Sequence, residues 1–207
     1  TIMKIKHLEA SPLARQLEDV FQGGTYKITS RNTIVTRVEL DNGVVGETFG
    51  GDEDQYQIEV CRLVNTVYRP LLVGGDVRDV EAYWERLWNE RVDLNNRGIH
   101  TLDLAKHCVC TQAIAAVDIA LWDALGKSLN QPVCKLLGGY RDCVPVIAIG
   151  GYVMQGKTLA DLESEIQYYK DQQIAGMKLK VGKLSVEEDI ERTRLALCLR
   201  ALNGMPA

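Results

Sequence analysis

Gly176-Met177-Lys178-Leu179-Lys180-Val181-Gly182 is the stretch on which the reading of this chain turns. As a β-strand it sends Met177, Leu179 and Val181 to one face and Lys178 and Lys180 to the other. The two lysines then point the same way, about 7 Å apart along the strand. The surrounding elements read strand, helix, strand, helix, which predicts a parallel strand covered on both faces. In a closed parallel barrel the second face looks inward, and the residue nearest the C-terminal end of a strand reaches the mouth where chemistry is done. Lys180 is that residue. On spacing alone, paired lysines also suit an exposed edge strand, where they block edge-to-edge association.

Working outward, Val144-Pro145-Val146-Ile147-Ala148-Ile149-Gly150-Gly151 is a short apolar run suited to a buried parallel strand. Thr158 is placed to cap a helix whose Leu159, Leu162, Ile166 and Tyr169 make one stripe. Ser185-Val186-Glu187-Glu188 is a capping box, opening a helix that bears Val186, Ile190, Thr193 and Leu197. Right-handed crossovers would set the two strands side by side with both helices on one face. Glu187, Glu188, Asp189 and Glu191 crowd that last helix start, where acids favour the helix dipole, and they show no metal-ligand spacing.

Upstream, Ile34 to Leu40 alternates, breaks at Asp41-Asn42-Gly43 and resumes at Val44-Val45-Gly46-Glu47. Asn-Gly between two β-prone runs predicts a type I′ hairpin, with positive φ at both central positions. Two glycine-rich breaks, Phe21-Gln22-Gly23-Gly24-Thr25-Tyr26 and Thr48-Phe49-Gly50-Gly51-Asp52, read as surface loops or, as a pair, as lids. Residues 54–129 read as three helices. The first, through Ile58, Cys61, Leu63 and Val64, is expected to run out before Pro70, and the second spans Asp76 to Arg91. The third, Thr111 to Lys127, is apolar around nearly its whole circumference and is expected to be packed on several sides. Its Asp118 and Asp123 read as structural partners before catalysts.

A chain of 207 residues with 46% hydrophobic side chains can bury a sizeable core, and a net charge of -4 without a like-charged tail argues against nucleic acid or a membrane surface as partner. No apolar run approaches the ~20 residues that span a bilayer, and the N-terminal residues lack a signal peptide's apolar stretch, so the expectation is a cytoplasmic protein. Six cysteines without a CxxC pair read as reduced thiols. His100, His107, Cys108 and Cys110 cluster in sequence but lack zinc-type spacing.

The order of elements, the run Ala115-Ala116-Val117-Asp118-Ile119-Ala120-Leu121-Trp122-Asp123-Ala124-Leu125-Gly126-Lys127, then Pro132-Val133 and Leu136-Leu137-Gly138-Gly139, together resemble the mandelate racemase / muconate lactonizing enzyme branch of the enolase superfamily. Lys178-Leu179-Lys180 matches that branch's K-x-K motif, and the likeness runs through the whole chain. The resemblance implies an α+β capping domain over residues 1–140, followed by the first βαβα units of a TIM-type barrel over residues 141–207. It implies an isomerase or lyase that removes the proton α to a carboxylate and stabilises the enolate on Mg²⁺, using a Lys or His base. Lys180 takes the place of that base and Lys178 that of its electrostatic neighbour. A second ammonium and burial would both be expected to lower the base's pKa from its usual value of about 10.4. The glycine-rich breaks resemble the family's capping loops, which makes Phe21, Thr25, Tyr26, Phe49 and Gly50 candidate substrate contacts. The partners implied are a small carboxylate substrate and further copies of the chain in a homo-oligomer. In the family the Mg²⁺ ligands come from the third, fourth and fifth barrel strands, beyond the second strand at which this sequence stops. The expectation is therefore part of a longer racemase, cycloisomerase or sugar-acid dehydratase, inactive alone, with an inactive interaction or assembly module as the alternative.

Overall fold

The structure, a computed structural model, describes residues 2–50, 55–95 and 104–201. Its contacts divide the chain into two units, Thr1–Arg15 with Arg31–Tyr140, and Gln16–Ser30 with Arg141–Ala207. The segment 16–30 thus belongs with the C-terminal elements, although its strands begin and end in the other unit.

The first unit is built on strands β1 (Ile5–Gln22), β2 (Lys27–Leu40) and β3 (Val45–Phe49), in the order β1-β2-β3. β2 and β3 pair antiparallel, with Arg37 opposite Glu47. The hairpin between them is not the expected type I′ turn. Gly43 N–H donates to Leu40 C=O at 3.0 Å, Leu40 N–H to Val44 C=O at 2.9 Å, and Gly43 alone in the loop has positive φ, at 84°. This is a three-residue loop with glycine at its left-handed position, which needs only one such residue.

Helices α1 (Gln57–Leu63) and α2 (Arg69–Leu72) are joined without a break by a π-helical turn, Val64–Tyr68. The helical run therefore passes through Pro70 and does not stop before it. Proline sits in the first turn of α2, where a missing N–H costs least, and the wider turn before it accommodates the ring. Asn65, within that turn, accepts from Ala10 N–H at 2.9 Å and donates to Ala10 C=O at 2.8 Å, while Arg69 donates to Leu8 C=O at 2.6 Å. Edge strand β1 is satisfied by side chains in place of a further strand.

Helices α3 (Val80–Asn95), α4 (Leu104–Leu129) and α5 (Val133–Leu136) complete this unit. The core gathers Ile5, Leu8, Val38, Val64, Leu87, Val117 and Leu121, among others. The 107–129 stretch of α4 is long and apolar enough to cross a bilayer by length and composition, although Asp118 and Asp123 interrupt the apolar run in the sequence. Half of it is buried in the unit, against β3, α1, α3 and α5, so the helix is packed on several sides, with a stripe through Ile119 left exposed. Asp123 accepts from Glu47 N–H at 2.8 Å and pairs with Lys127 at 2.6 Å. Burial chiefly, with Glu81 adding to it, pushes the Asp118 carboxyl up. Among the described residues, Cys61, Cys108, Cys110, Cys134 and Cys143 form no disulfide.

In the second unit β4 (Ile147–Gly150) pairs parallel with β5 (Gly176–Leu179), and α6 (Leu159–Asp171) and α7 (Val186–Ala201) follow them in a βαβα run. Thr158 and Asp161 form a reciprocal capping box at α6, and Ser185 and Glu188 form one at α7. Leu162 and Ile166 are buried on α6, but Leu159 is exposed. The strands are covered on one face only by the described residues: Ile147, Ile149 and Lys178 are exposed. On α7, Val186, Ile190 and Leu197 are exposed too. Among the described side chains of α7 the buried one is Arg192, because the ends of the strands offer it acceptors.

Candidate functional site

Lys180 follows β5 directly, and its N–H donates to Gly150 C=O at 3.1 Å, one step beyond the paired residues Gly150 and Leu179. It therefore stands at the C-terminal end of the two-stranded sheet, with Lys178 two residues back on the strand. Lys180 Nζ lies 5.4 Å from the ring centroid of Tyr26 and 5.4 Å from that of Tyr152. Both distances are within reach of cation–π attraction. The neighbouring Tyr26 phenol is the main reason Lys180 is held above the ordinary 10.5. Lys180 in turn, with help from Tyr152 and from the charge of Lys178, pulls the Tyr26 phenol below 10.0. The expectation that a neighbouring ammonium and burial would draw Lys180 toward neutrality is not met here. Lys178 points to solvent, and the groups touching Lys180 are phenols, which favour its charged form.

The loop that brings Tyr26 to Lys180 is fixed at its base. Gln22 and Val153 exchange N–H···O=C bonds of 3.0 and 3.1 Å, and the Phe21 ring meets Tyr152 edge-on at 5.6 Å between centroids. Gly23 N–H closes the turn on Tyr26 C=O at 3.1 Å. A Cβ at Gly23 would stand 2.5 Å from the Tyr26 ring, and one at Gly24 would stand 3.1 Å from Val181 C=O. Two adjacent glycines are what lets the loop lie against the lysine strand with its tyrosine folded back.

Two side chains that the sequence reading did not single out hold the strand ends. Arg192 is 6% exposed; it donates to Lys180 C=O at 3.0 Å, to Asp189 at 3.1 Å, and to Gly151 C=O. Asp189 in turn accepts from Gly182 N–H at 2.6 Å, so it is tied into the turn after Lys180 and is more than a dipole partner. Glu165 accepts from Gly151 N–H at 3.0 Å, from Tyr169 OH at 2.9 Å and from Lys157 Nζ at 2.5 Å. Burial pushes the Glu165 carboxyl up, but these three donors outweigh it and the net shift is down. Burial and the Glu165 carboxylate together push Tyr169 up to about 12.

Of the residues expected to meet substrate, Phe21 and Tyr26 are thus gathered around Lys180 and Tyr152, and Thr25 is exposed in the same turn. Phe49 and Gly50 belong to the first unit. The Phe49 ring is 79% exposed at the end of β3, while Gly50 is bonded to β2 through Ile34 C=O and the Thr33 hydroxyl. Gly51 and Asp52 of that break, and His100 of the histidine and cysteine cluster, lie outside the described residues. Among the described residues, no three His, Cys, Asp or Glu side chains come together so as to hold a metal ion.

Residues 20–138, more than half of the chain, match the family model for the N-terminal domain of mandelate racemase / muconate lactonizing enzyme. Among curated proteins, the chain is 33% identical over 164 residues to an arabinonate dehydratase of Saccharolobus solfataricus, covering 78% of this chain and 40% of the relative. It is 32% identical over 181 residues to a 3,6-anhydro-alpha-L-galactonate cycloisomerase of Streptomyces coelicolor, covering 87% of this chain and 46% of the relative. A solved mandelate racemase/muconate lactonizing enzyme from a marine actinobacterium, in complex with magnesium, superposes with a TM-score of 0.72 at 33% identity, over 98% of this chain and 50% of that one. The chain spans about half the length of these relatives, or less.

Proposed function

The chain belongs to the mandelate racemase / muconate lactonizing enzyme family, and from that premise we propose that it is the N-terminal part of an enzyme that removes the proton α to the carboxylate of a small sugar acid, with Lys180 as the base. The observation that carries this reading is the position of Lys180. It stands at the C-terminal end of a parallel strand, held by its own backbone to β4 and by Arg192 to α7, with its amine at the 23–26 turn. A base must be presented to substrate from a rigid element, and chemistry in barrels of this kind is done at the C-terminal strand ends.

The reaction class follows from the relatives, a dehydratase and a cycloisomerase of sugar acids or their anhydro derivatives. Both are reached from one first step, transfer of the α-proton to the Lys180 amine. Expulsion of a leaving group or reprotonation then decides the outcome. Lys178 adds a second positive charge on the same strand face and favours the anionic substrate. Phe21, Thr25 and Tyr26 are the substrate contacts offered by this unit, as two aromatic rings and a hydroxyl around the amine. Magnesium, found in one solved relative, would stabilise the enolate in the complete enzyme. The described residues of this chain assemble no ligand set for it, so the contribution derived from them is the base and its setting.

The test is Lys180→Ala in the full-length protein, followed by uptake of solvent deuterium at the substrate α carbon. General-base catalysis is worth about 10²–10⁴ in rate, and exchange is expected to fall by that order. Exchange at the wild-type rate in the variant would overturn the assignment.

A further inference from the structure

Tyr152 stands two residues past β4, at the same strand end as Lys180, and both of its neighbours in the chain are fixed. Gly151 before it accepts from Arg192 through its carbonyl and donates to Glu165 at 3.0 Å through its N–H. Val153 after it exchanges N–H···O=C bonds of 3.0 and 3.1 Å with Gln22. The ring itself is met edge-on by Phe21, at 5.6 Å between centroids. Tyr152 is therefore held from the backbone and from the side, whereas Tyr26 is 41% exposed at the tip of its turn. Lys180 Nζ lies over both rings, 5.4 Å from each centroid.

We propose that Tyr152 is a positioning residue for Lys180: the face of its ring holds Nζ at the strand end and stabilises it as the ammonium that proton abstraction produces. The proposal rests on the reading of Lys180 as the base. In that step the Cα–H bond of the substrate breaks, a third N–H bond forms at Nζ, and the electron pair stays on the substrate as the enolate. An aromatic ring is negative on its face, so it attracts the charged amine and not the neutral one. A long, flexible side chain is thereby given one position and a firmer hold on the proton it takes. Tyr26, from the turn, is the other titratable group under the amine, and with Tyr152 it holds Lys180 above the ordinary 10.5. Lys178 stands two residues back on β5 and is exposed. From α7, Asp189 and Arg192 engage the backbone at Gly182 and Lys180, and from α6, Glu165 with its partner Lys157 engages the backbone at Gly151. Those groups fix the strand ends, while the amine itself lies over the two rings.

The experiment is trace labelling of the full-length protein with acetic anhydride across about pH 7–11, since only the free amine reacts, read at Lys180 and at Lys178 by mass spectrometry. Tyr152→Leu keeps apolar bulk and removes the ring. Its Lys180 labelling midpoint is expected at lower pH, with a rate about twofold to fivefold higher at about pH 8, the size of a cation–π contact at a half-exposed site. Tyr152→Phe keeps the ring and should stay within about twofold of the wild type, so the conservative variant restores what leucine loses. Fluorinated phenylalanines at position 152 keep the shape and weaken the face, so the midpoint should fall with each added fluorine, and they serve equally where the leucine variant does not fold. The acidic limb of the kcat/KM profile should move to lower pH in Tyr152→Leu and not in Tyr152→Phe, which a merely structural role for Tyr152 would not produce. A Lys180 midpoint unchanged in Tyr152→Leu, or indifferent to the number of fluorines, overturns the proposal. So does a shift in Tyr152→Phe as large as in Tyr152→Leu, which would assign the effect to the hydroxyl, and so does an equal shift of Lys178, which would mark a general change of the surface. The labelling needs no catalysis, so the two readings fail separately. Exchange of the α-proton that depends on Lys180, without a ring-dependent midpoint, would sink this inference alone, and the reverse pattern would sink the base assignment alone.

Discussion

The guanidinium of Arg192 donates to the carbonyl of Lys180 at 3.0 Å from a side chain that is 6% exposed. The same group reaches Gly151 C=O and Asp189, so one buried cation ties the ends of β4 and β5 to α7. Truncation would leave two backbone carbonyls without that donor and Asp189 with its charge uncompensated. Breaking a buried pair in this way costs about 3–5 kcal/mol, and Arg192→Ala is expected to destabilise the second unit on that scale. Arg192→Lys should recover only part of it, because an ammonium cannot serve three acceptors with the geometry of a planar fork. The three tryptophans, Trp84, Trp88 and Trp122, lie in the first unit, so amide hydrogen exchange at Gly151 and Lys180 is the suitable probe. Wild-type protection in Arg192→Ala would contradict this account.

Gly46 marks where β3 meets α4. A Cβ there would stand 2.2 Å from the Ala120 carbonyl oxygen and 2.5 Å from the Ala124 nitrogen, both backbone atoms of a buried helix that cannot step aside. Gly46→Ala is expected to cost about 1–3 kcal/mol through overpacking. At Gly50 the nearest atoms to an added Cβ are 3.7 Å away, so Gly50→Ala should stay within about 0.5 kcal/mol of wild type. Urea unfolding followed by tryptophan fluorescence reports on this unit, and equal midpoints for the two variants would refute the contact argument.

Asp76 and Arg78 give the first unit an acid-sensitive contact. Arg78 donates to both carboxylate oxygens at 3.0 Å and through its own backbone N–H at 3.1 Å. These bonds hold the Asp76 carboxyl down, from an ordinary 3.8 to about 2. A carboxyl lowered on folding contributes stability that is fully present above its unfolded pKa and is lost as pH falls through the folded value. The contribution should therefore disappear between about pH 4 and 2, and Asp76→Asn should lack that part of the acid dependence. Tm measured across this window in both proteins checks it; parallel curves would exclude the contact as a source of acid sensitivity.

What could be read from the sequence was local. Thr158 with Asp161 and Ser185 with Glu188 are neighbours in sequence and on the helix ends, and both boxes form. The break at Asn42-Gly43 is a hairpin, but its type was not legible, because the same dipeptide serves a two-residue loop and a three-residue one. Pro70 misled because the wider turn that absorbs it is fixed by Asn65 and Arg69 reaching β1, contacts 55 and 61 residues away in sequence. Arg192 was invisible for a related reason. Its partners at Lys180 and Gly151 are backbone carbonyls, which leave no residue signature, and an arginine on an acidic helix reads as solvated. The lysine strand was legible through its alternation, whereas the phenol that meets Lys180 comes from a loop in a distant part of the chain, joined to it only by the fold.

Glu165 supplies the last test, because it acts on the same strand end as Arg192 from the opposite partner. It accepts from Gly151 N–H at 3.0 Å while Arg192 donates to Gly151 C=O, so the residue after β4 is gripped on both of its backbone groups. Gly151 has φ of 65°, and a Cβ on it would stand 2.3 Å from Leu179, so no other residue fits there without strain. Glu165→Ala removes one grip and leaves a buried amide without its acceptor, at a cost of about 1–3 kcal/mol, read as lost exchange protection at Gly151. Glu165→Gln keeps an oxygen for Gly151 and for Tyr169 and loses the charge that pairs with Lys157, so it should retain most of the protection. The two proteins also differ in their response to acid. The Glu165 carboxyl is held below its ordinary 4.5 on folding, so its contribution is present above that value and fades as pH falls below it. Protection at Gly151, corrected for intrinsic exchange, should weaken in that range in the wild type and stay level in Glu165→Gln. Equal protection in Glu165→Ala and the wild type would mean that Arg192 alone sets the strand end from which Lys180 is presented.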